Sequence, residues 1–242
     1  MTKHALVTGA DRGLGLAFAA QLLERGYEVF AGRFLPGCYG LDDLYVKYGG
    51  ALPILPLDVG DADLVNAAAD VVAARAGKLN VLINNAGIAT MHDRDATLFD
   101  DFDYDEMLRV FNVNALGMLR VTKSALPLLL KADDKRIINI TSLAASISLL
   151  TRKNQYAYTM SKAAGNMQTK LIYNTLREHG VKVFALHPGW MHTAIFGDNP
   201  DNMKGAHFTP DEAARRILDF TLNAEQEGDH IFFGNDGQPL GY

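Results

Sequence analysis

Short apolar runs along this chain alternate with longer segments whose apolar residues recur at helical spacing. The runs are HALVT (4–8), YEVFAG (27–32), ALPILPL (51–57), NVLIN (80–84), RIINIT (136–141), VKVFALH (181–187) and HIFFG (230–234). Between them the spacing predicts helices at about 13–25, 41–48, 61–76, 101–131, 155–179 and 210–223. Strand–helix alternation predicts βαβ units and a parallel sheet. Most runs are continuously apolar rather than alternating, which fits a sheet covered on both faces. The third contains Pro53 and Pro56, which have no N–H to give to a ladder, so it is expected at the sheet edge. No repeat, low-complexity tract or linker interrupts the pattern, and one domain over 1–242 is expected. The longest irregular stretch, GWMHTAIFGDNPDNMKGAHFT (189–209), is expected to act as a lid.

Composition narrows the class without changing the fold. The chain has 48% hydrophobic and 21% charged residues and a net charge of −5, so it should have no general attraction to nucleic acid or an anionic membrane. A single cysteine, Cys38, allows no internal disulfide and no cysteine-based metal cage. No apolar run reaches the about 18 residues of a membrane span. The N-terminus enters a strand pattern directly, without a signal-peptide core, and a cytoplasmic protein is expected.

Chemistry first shows in ALVTGADRGLGLAFAAQLLERG (5–26), a strand, a glycine-rich turn and a helix. Gly9, Gly13 and Gly15 let the backbone turn sharply and bring amide groups against a pyrophosphate at the helix N-terminus, with Asp11, Arg12 and Leu14 in the same turn. Nucleotide binding follows, because the turn opens the first helix of a doubly wound sheet.

The T-G-x-x-x-G-x-G spacing of that turn resembles the short-chain dehydrogenase/reductase family. So do NNAG (84–87), NVNALG (112–117), ITS (140–142), Y-x-x-x-K (158–162) and HPGWMHT (187–193), in that order over essentially the whole chain. The resemblance implies a single Rossmann-type domain binding a nicotinamide dinucleotide. It places the adenine end near Asp58 and Val59, the ribose and nicotinamide along Asn85, Ala86 and Gly87, and the carboxamide against Pro188, Gly189 and Thr193. Asn84 and Asn85 could instead tie strand ends, and Asp58 could cap a turn. An NAD site usually ends its second strand in a carboxylate. Here Gly32 stands at that place, with Arg33 after it and Arg12 in the glycine turn, which favours NADP(H) over NAD(H).

Tyr158 and Lys162 lie one helical turn apart on one face. A free phenol titrates near 10, and shifting it by roughly three units requires about 4 kcal/mol. An ammonium about 4 Å away supplies that order of energy at an effective dielectric near 20. The family resemblance makes Tyr158 the proton donor to a carbonyl, Lys162 its electrostatic partner and ribose ligand, and Ser142 the hydroxyl that orients the substrate oxygen. It makes Asn114 the residue whose distorted backbone seats a relay water. Asn112 is the alternative to Asn114, and Tyr156, six residues before Lys162, is taken as pocket wall.

Ser142 and Tyr158 are 16 residues apart. This longer spacing and the ending FFGNDGQPLGY resemble the C-factor-like and sniffer-like carbonyl reductases. Ser146 and Ser148 are further hydroxyls in the insert. Trp190, Met191, Ile195, Phe196 and Phe208 would form an apolar lid. With no evident arginine clamp, uncharged and moderately apolar carbonyl or alcohol substrates are expected. The alternative is an NADP(H)-binding signalling or sensor protein with little turnover. A nucleotide-sugar epimerase would want more than the roughly fifty residues that follow the sixth strand. The resemblance allows a homodimer or homotetramer, paired through the helices at 101–131 and 155–179 as in many relatives, with a monomer as the alternative.

The acidic run DRDATLFDDFDYDE (93–106) mimics the start of a calcium loop at Asp101, Asp103 and Asp105. It has Glu106 where glycine is required and Asn112 where a glutamate closes the loop, so it is expected as a solvated helix approach. His187 and His192 are taken as loop wall, and no metal site is expected.

Overall fold

The computed structural model describes residues 2–191, 195, 205–226 and 228–242. Seven parallel strands form one sheet: β1 (His4–Val7), β2 (Glu28–Arg33), β3 (Ile54–Pro56), β4 (Val81–Asn84), β5 (Lys135–Ile140), β6 (Val181–His187) and β7 (Phe232–Gly234). Their order is β3-β2-β1-β4-β5-β6-β7, so the chain winds outward twice from β1. β3 is an edge strand, and neither its Pro56 nor Pro53 just before it costs a ladder bond that a neighbour needs.

Eight helices follow the predicted spacing with one addition. They are α1 (Gly13–Glu24), α2 (Gly40–Tyr48), α3 (Ala62–Ala76), α4 (Met91–Asp95), α5 (Tyr104–Phe111), α6 (Met118–Leu129), α7 (Tyr156–Leu176) and α8 (Pro210–Asn223). The segment expected as one helix over 101–131 starts at Tyr104, where the Asp103 side chain caps it, and passes through a π-helical stretch, Asn112–Gly117, between α5 and α6. The short α4 has no counterpart among the predicted elements; five residues are too few to show a period.

Successive strand residues point to opposite faces, and the core divides accordingly. Ala5 and Val7 face a cluster with Phe18 and Leu22 of α1 and Ile217 and Leu218 of α8. Leu6 faces the other cluster, with Val72 of α3, Val121 and Leu128 of α6, and Ile172 and Leu176 of α7. Each fully buried side chain of this kind contributes about 1.5–3 kcal/mol. The result is a single-domain Rossmann-type sandwich. The strand order reverses between β1 and β4, and the crevice beyond their carboxyl ends is where an open α/β sheet accepts ligands. Among the described residues no helix is long and apolar enough to cross a membrane.

Candidate active site

A cavity of about 1780 Å³ opens at the carboxyl ends of the strands. Its floor is made of the turns after β1, β3, β4, β5 and β6 and the first turn of α7. The volume exceeds the roughly 300–1,000 Å³ of an ordinary small-ligand pocket and leaves room for a dinucleotide beside a second molecule.

The turn after β1 is built for close backbone approach. Gly9 and Gly13 take left-handed φ values of 61° and 55°. A Cβ on Gly15 would lie 2.0 Å from the Gly9 carbonyl oxygen, and one on Gly9 would lie 2.9 Å from the Ala86 Cα. The Asn85 amide donates to the carbonyls of Thr8 and Gly9 at 3.0 Å each, which clamps the β4 turn onto the glycine turn. No side chain caps the N-terminus of α1. Its first N–H groups and dipole therefore suit a pyrophosphate.

Around this cradle several expected residues have positioning roles. The Asp11 carboxylate is buried and accepts the N–H groups of Phe34 and Leu35, both at 2.9 Å, fixing the loop after β2. Asp58 accepts the Gly60 N–H at 2.7 Å and so closes its own turn, the capping alternative. Val59 is buried, and a Cβ on Gly117 would meet its Cγ2 at 2.7 Å, bringing the π-helical stretch against the β3 turn. Arg12 and Leu14 line the cavity. Arg33 is not among the cavity-lining residues; its guanidinium pairs with Asp42 at 2.9 Å. A Cβ on Gly32 would lie 2.6 Å from Leu57 Cδ2, so any side chain at this place, the carboxylate of an NAD site included, requires Leu57 to shift.

Ser142, Tyr158 and Lys162 converge at the foot of the cleft. The Ser142 hydroxyl, which accepts the Ala144 N–H at 3.1 Å, lies close enough to the Tyr158 phenol to act on its titration. Lys162 is 3% exposed, and its Nζ donates to the Ile140 carbonyl at 2.9 Å. Asn114 is fully buried in the π-helical stretch. It exchanges bonds of 2.8 Å with the N–H and C=O of Ile88 and donates to Ser161 Oγ at 3.0 Å. A Cβ on Gly87 would fall 3.3 Å from both Asn114 Oδ1 and Lys162 Nζ, a tight approach that brings these two groups close to the β4 turn. Asn112 serves structure instead, bonded to the Gly60 carbonyl and to Arg120.

The electrostatics differ from the sequence expectation. Burial pushes the Tyr158 phenol above its ordinary value, while the Ser142 hydroxyl and the Arg152 guanidinium pull it back. The Lys162 nitrogen lies 5.8 Å from the centre of the Tyr158 ring and is turned to Ile140. Burial lowers its own pKa to about 8. The simple pairing of ammonium and phenol is thus replaced by a hydroxyl pair beside a desolvated lysine.

Several residues that sequence reasoning set aside enter the site. Asp93, from the acidic run expected to be solvated, is 4% exposed. Its two oxygens accept the N–H groups of Ala157 and Tyr158 at 2.8 and 2.9 Å, capping α7 beneath the tyrosine. His187 lines the cavity, and burial, assisted by Arg152, lowers its pKa to about 4, so the ring is neutral. Arg94, Arg109 and Arg152 also line the cavity, although no arginine clamp was evident in the sequence. Tyr156 does not line it; its ring packs edge-on against Phe102 at 5.1 Å. Ser146 and Ser148 are engaged within the insert, where Ser146 Oγ accepts the Leu149 N–H at 3.1 Å. Pro188, Gly189, Trp190, Met191, Ile195 and Phe208 line the cavity, and the Pro188 carbonyl accepts from Asn235 at 2.9 Å. Thr193, His192, Phe196 and most of the proposed lid lie outside the described residues.

Residues 3–204 match the short chain dehydrogenase family. The C-signal protein of Myxococcus xanthus is 40% identical over 157 residues, covering 63% of this chain and 87% of that protein. The NADPH-bound carbonyl reductase from chicken fatty liver has a TM-score of 0.87 at 35% identity, over 100% of this chain and 99% of that one. The carbonyl reductase Sniffer of Drosophila melanogaster has a TM-score of 0.89 at 27% identity, over the full length of both chains.

Proposed function

The chain belongs to the short-chain dehydrogenase family, and from that premise we propose that it is a cytoplasmic, NADPH-dependent reductase of aldehydes or ketones, or the reverse alcohol dehydrogenase. The observation that carries this reading is the convergence of Tyr158, Ser142 and the buried Lys162 on the wall of one cleft. A bound NADPH supplies the hydride to the carbonyl carbon. Tyr158 gives its phenolic proton to the carbonyl oxygen, and Ser142 holds that oxygen with a second hydrogen bond. Lys162, on the cavity wall, would hold the ribose hydroxyls of the cofactor. The π-helical backbone at Asn114 opens a path for reprotonation, with the Asn114 side chain locked by Ile88 and Ser161.

Preference for NADP(H) rests on Arg12 in the cleft and on the absence of a carboxylate at Gly32. Asn85, Ala86, Gly87, Pro188 and Gly189, all on the cavity wall, are proposed to hold the nicotinamide half. The exposed apolar residues Leu108, Met167 and Leu171 on α5 and α7 support self-association. The test is oxidation of NADPH, and separately NADH, against a panel of aldehydes, ketones and quinones. Turnover that falls by orders of magnitude in Tyr158→Phe, with NADPH binding retained, supports the reading. A Tyr158→Phe enzyme of near-normal rate, or a wild type inert to the whole panel, counts against it.

A further inference from the structure

We propose that the substrates are carbonyl compounds that also carry a carboxylate, and that Arg152 is the residue that recognises it. This deepens the reductase reading and rests on it. Arg152 belongs to the insert between β5 and α7 and lines the cavity. Its charge reaches the site's chemistry, since the same guanidinium acts on both Tyr158 and His187.

The arginine is held from below. Arg152 Nη1 donates to the side-chain oxygen of Gln155, which is 8% exposed. Gln155 is the only residue other than glycine with a positive φ among the described residues, at 63°. A left-handed backbone is strained at a residue with a Cβ, and such strain persists where the surroundings impose it. Here the Gln155 N–H is fixed to the Asp93 carbonyl at 3.0 Å, one residue before α7 begins. The strained residue thus ties the arginine to the cap that sets Tyr158.

Charge balance then favours a monoanion. Arg94 is matched by Asp95 at 3.1 Å and Arg109 by Glu106 at 3.8 Å. Arg152 has no carboxylate within ion-pair distance among the described residues. Asp93 is occupied by two backbone N–H groups. His187 is neutral and so does not compete with the guanidinium for the anion. One uncompensated planar guanidinium suits a carboxylate, which it grips through two parallel N–H bonds.

The test compares 4-oxobutanoate, 6-oxohexanoate and 4-carboxybenzaldehyde with butanal, hexanal and benzaldehyde, in wild type, Arg152→Gln and Arg152→Lys. The wild type should favour at least one acid over its neutral counterpart in kcat/KM by about tenfold or more, mainly through KM. Arg152→Gln should bring that ratio near unity, Arg152→Lys should keep part of it, and benzoate should inhibit the wild type more strongly than Arg152→Gln. Reduction of the neutral aldehydes with no acid preference, or a preference that survives in Arg152→Gln, overturns this inference and leaves the reductase reading standing. If no aldehyde of either series is reduced, the reductase reading falls and this inference falls with it.

Discussion

The Lys162 ammonium donates to the main-chain carbonyl of Ile140 at 2.9 Å, anchoring α7 to the end of β5 below the cleft. With its pKa lowered to about 8 from 10.5 by burial, the folded protein releases this proton earlier than the unfolded chain does. The unfolded state therefore binds more protons between those two values, and stability must rise with pH across that window. The penalty, about 3 kcal/mol, is fully present below pH 8 and is relieved as pH approaches 10.5. Urea unfolding without cofactor should show Lys162→Met gaining stability over wild type near neutrality, with the gap closing at alkaline pH. A gap independent of pH would mean that Lys162 is not desolvated.

Asp93 caps α7 from 64 positions before Ala157, and the same carboxylate fixes the backbone of Tyr158. Asp93→Asn can still accept from one N–H but turns its own NH₂ toward the other. The change should cost about 1–2 kcal/mol in urea unfolding and lower kcat by displacing the phenol. Unchanged stability together with unchanged kcat would show that α7 does not depend on this cap.

Arg12 and Arg33 should separate in cofactor titrations. Arg12 lines the cavity, whereas Arg33 is occupied by Asp42. Arg12→Ala should weaken NADPH far more than NADH, and Arg33→Ala should change the ratio little. The reverse pattern would mean that Arg33 leaves Asp42 to read the 2′-phosphate.

Asn114→Ala removes three buried hydrogen bonds and leaves the N–H and C=O of Ile88 without that partner. A loss of about 2–4 kcal/mol in stability is expected, alongside reduced turnover. Asn114→Ala with wild-type stability and wild-type kcat would remove Asn114 from both roles.

Gly15→Ala places a methyl 2.0 Å from the Gly9 carbonyl oxygen, where backbone must shift to admit it. Cofactor binding, followed by fluorescence titration of NADPH, should be lost or weakened severely. Tight binding by Gly15→Ala would mean that the glycine turn is not the phosphate cradle.

The sequence by itself determined the layered architecture. Continuous apolar runs force strands to be buried on both faces, prolines confine 51–57 to an edge, and helical spacing supplies the covering layers. It also determined the placements that follow from local spacing: the glycines of 9–15, whose backbone freedom is intrinsic, and the pair Tyr158 and Lys162, which one helical turn brings to the same face. Only the tertiary structure decided what each charge does. Asp93 looked like one more acid in a solvated run, and its role exists because α4 delivers it to a helix end far along the chain. Arg33 stands beside Asp42 of α2, a pairing that no local spacing announces. No motif or spacing singles out Arg152, and the side chain of the strained Gln155 holds it at the cleft. Burial and pairing are properties of distance in space, so the same sequence that fixes its periodicities leaves its charges undecided until the chain is folded.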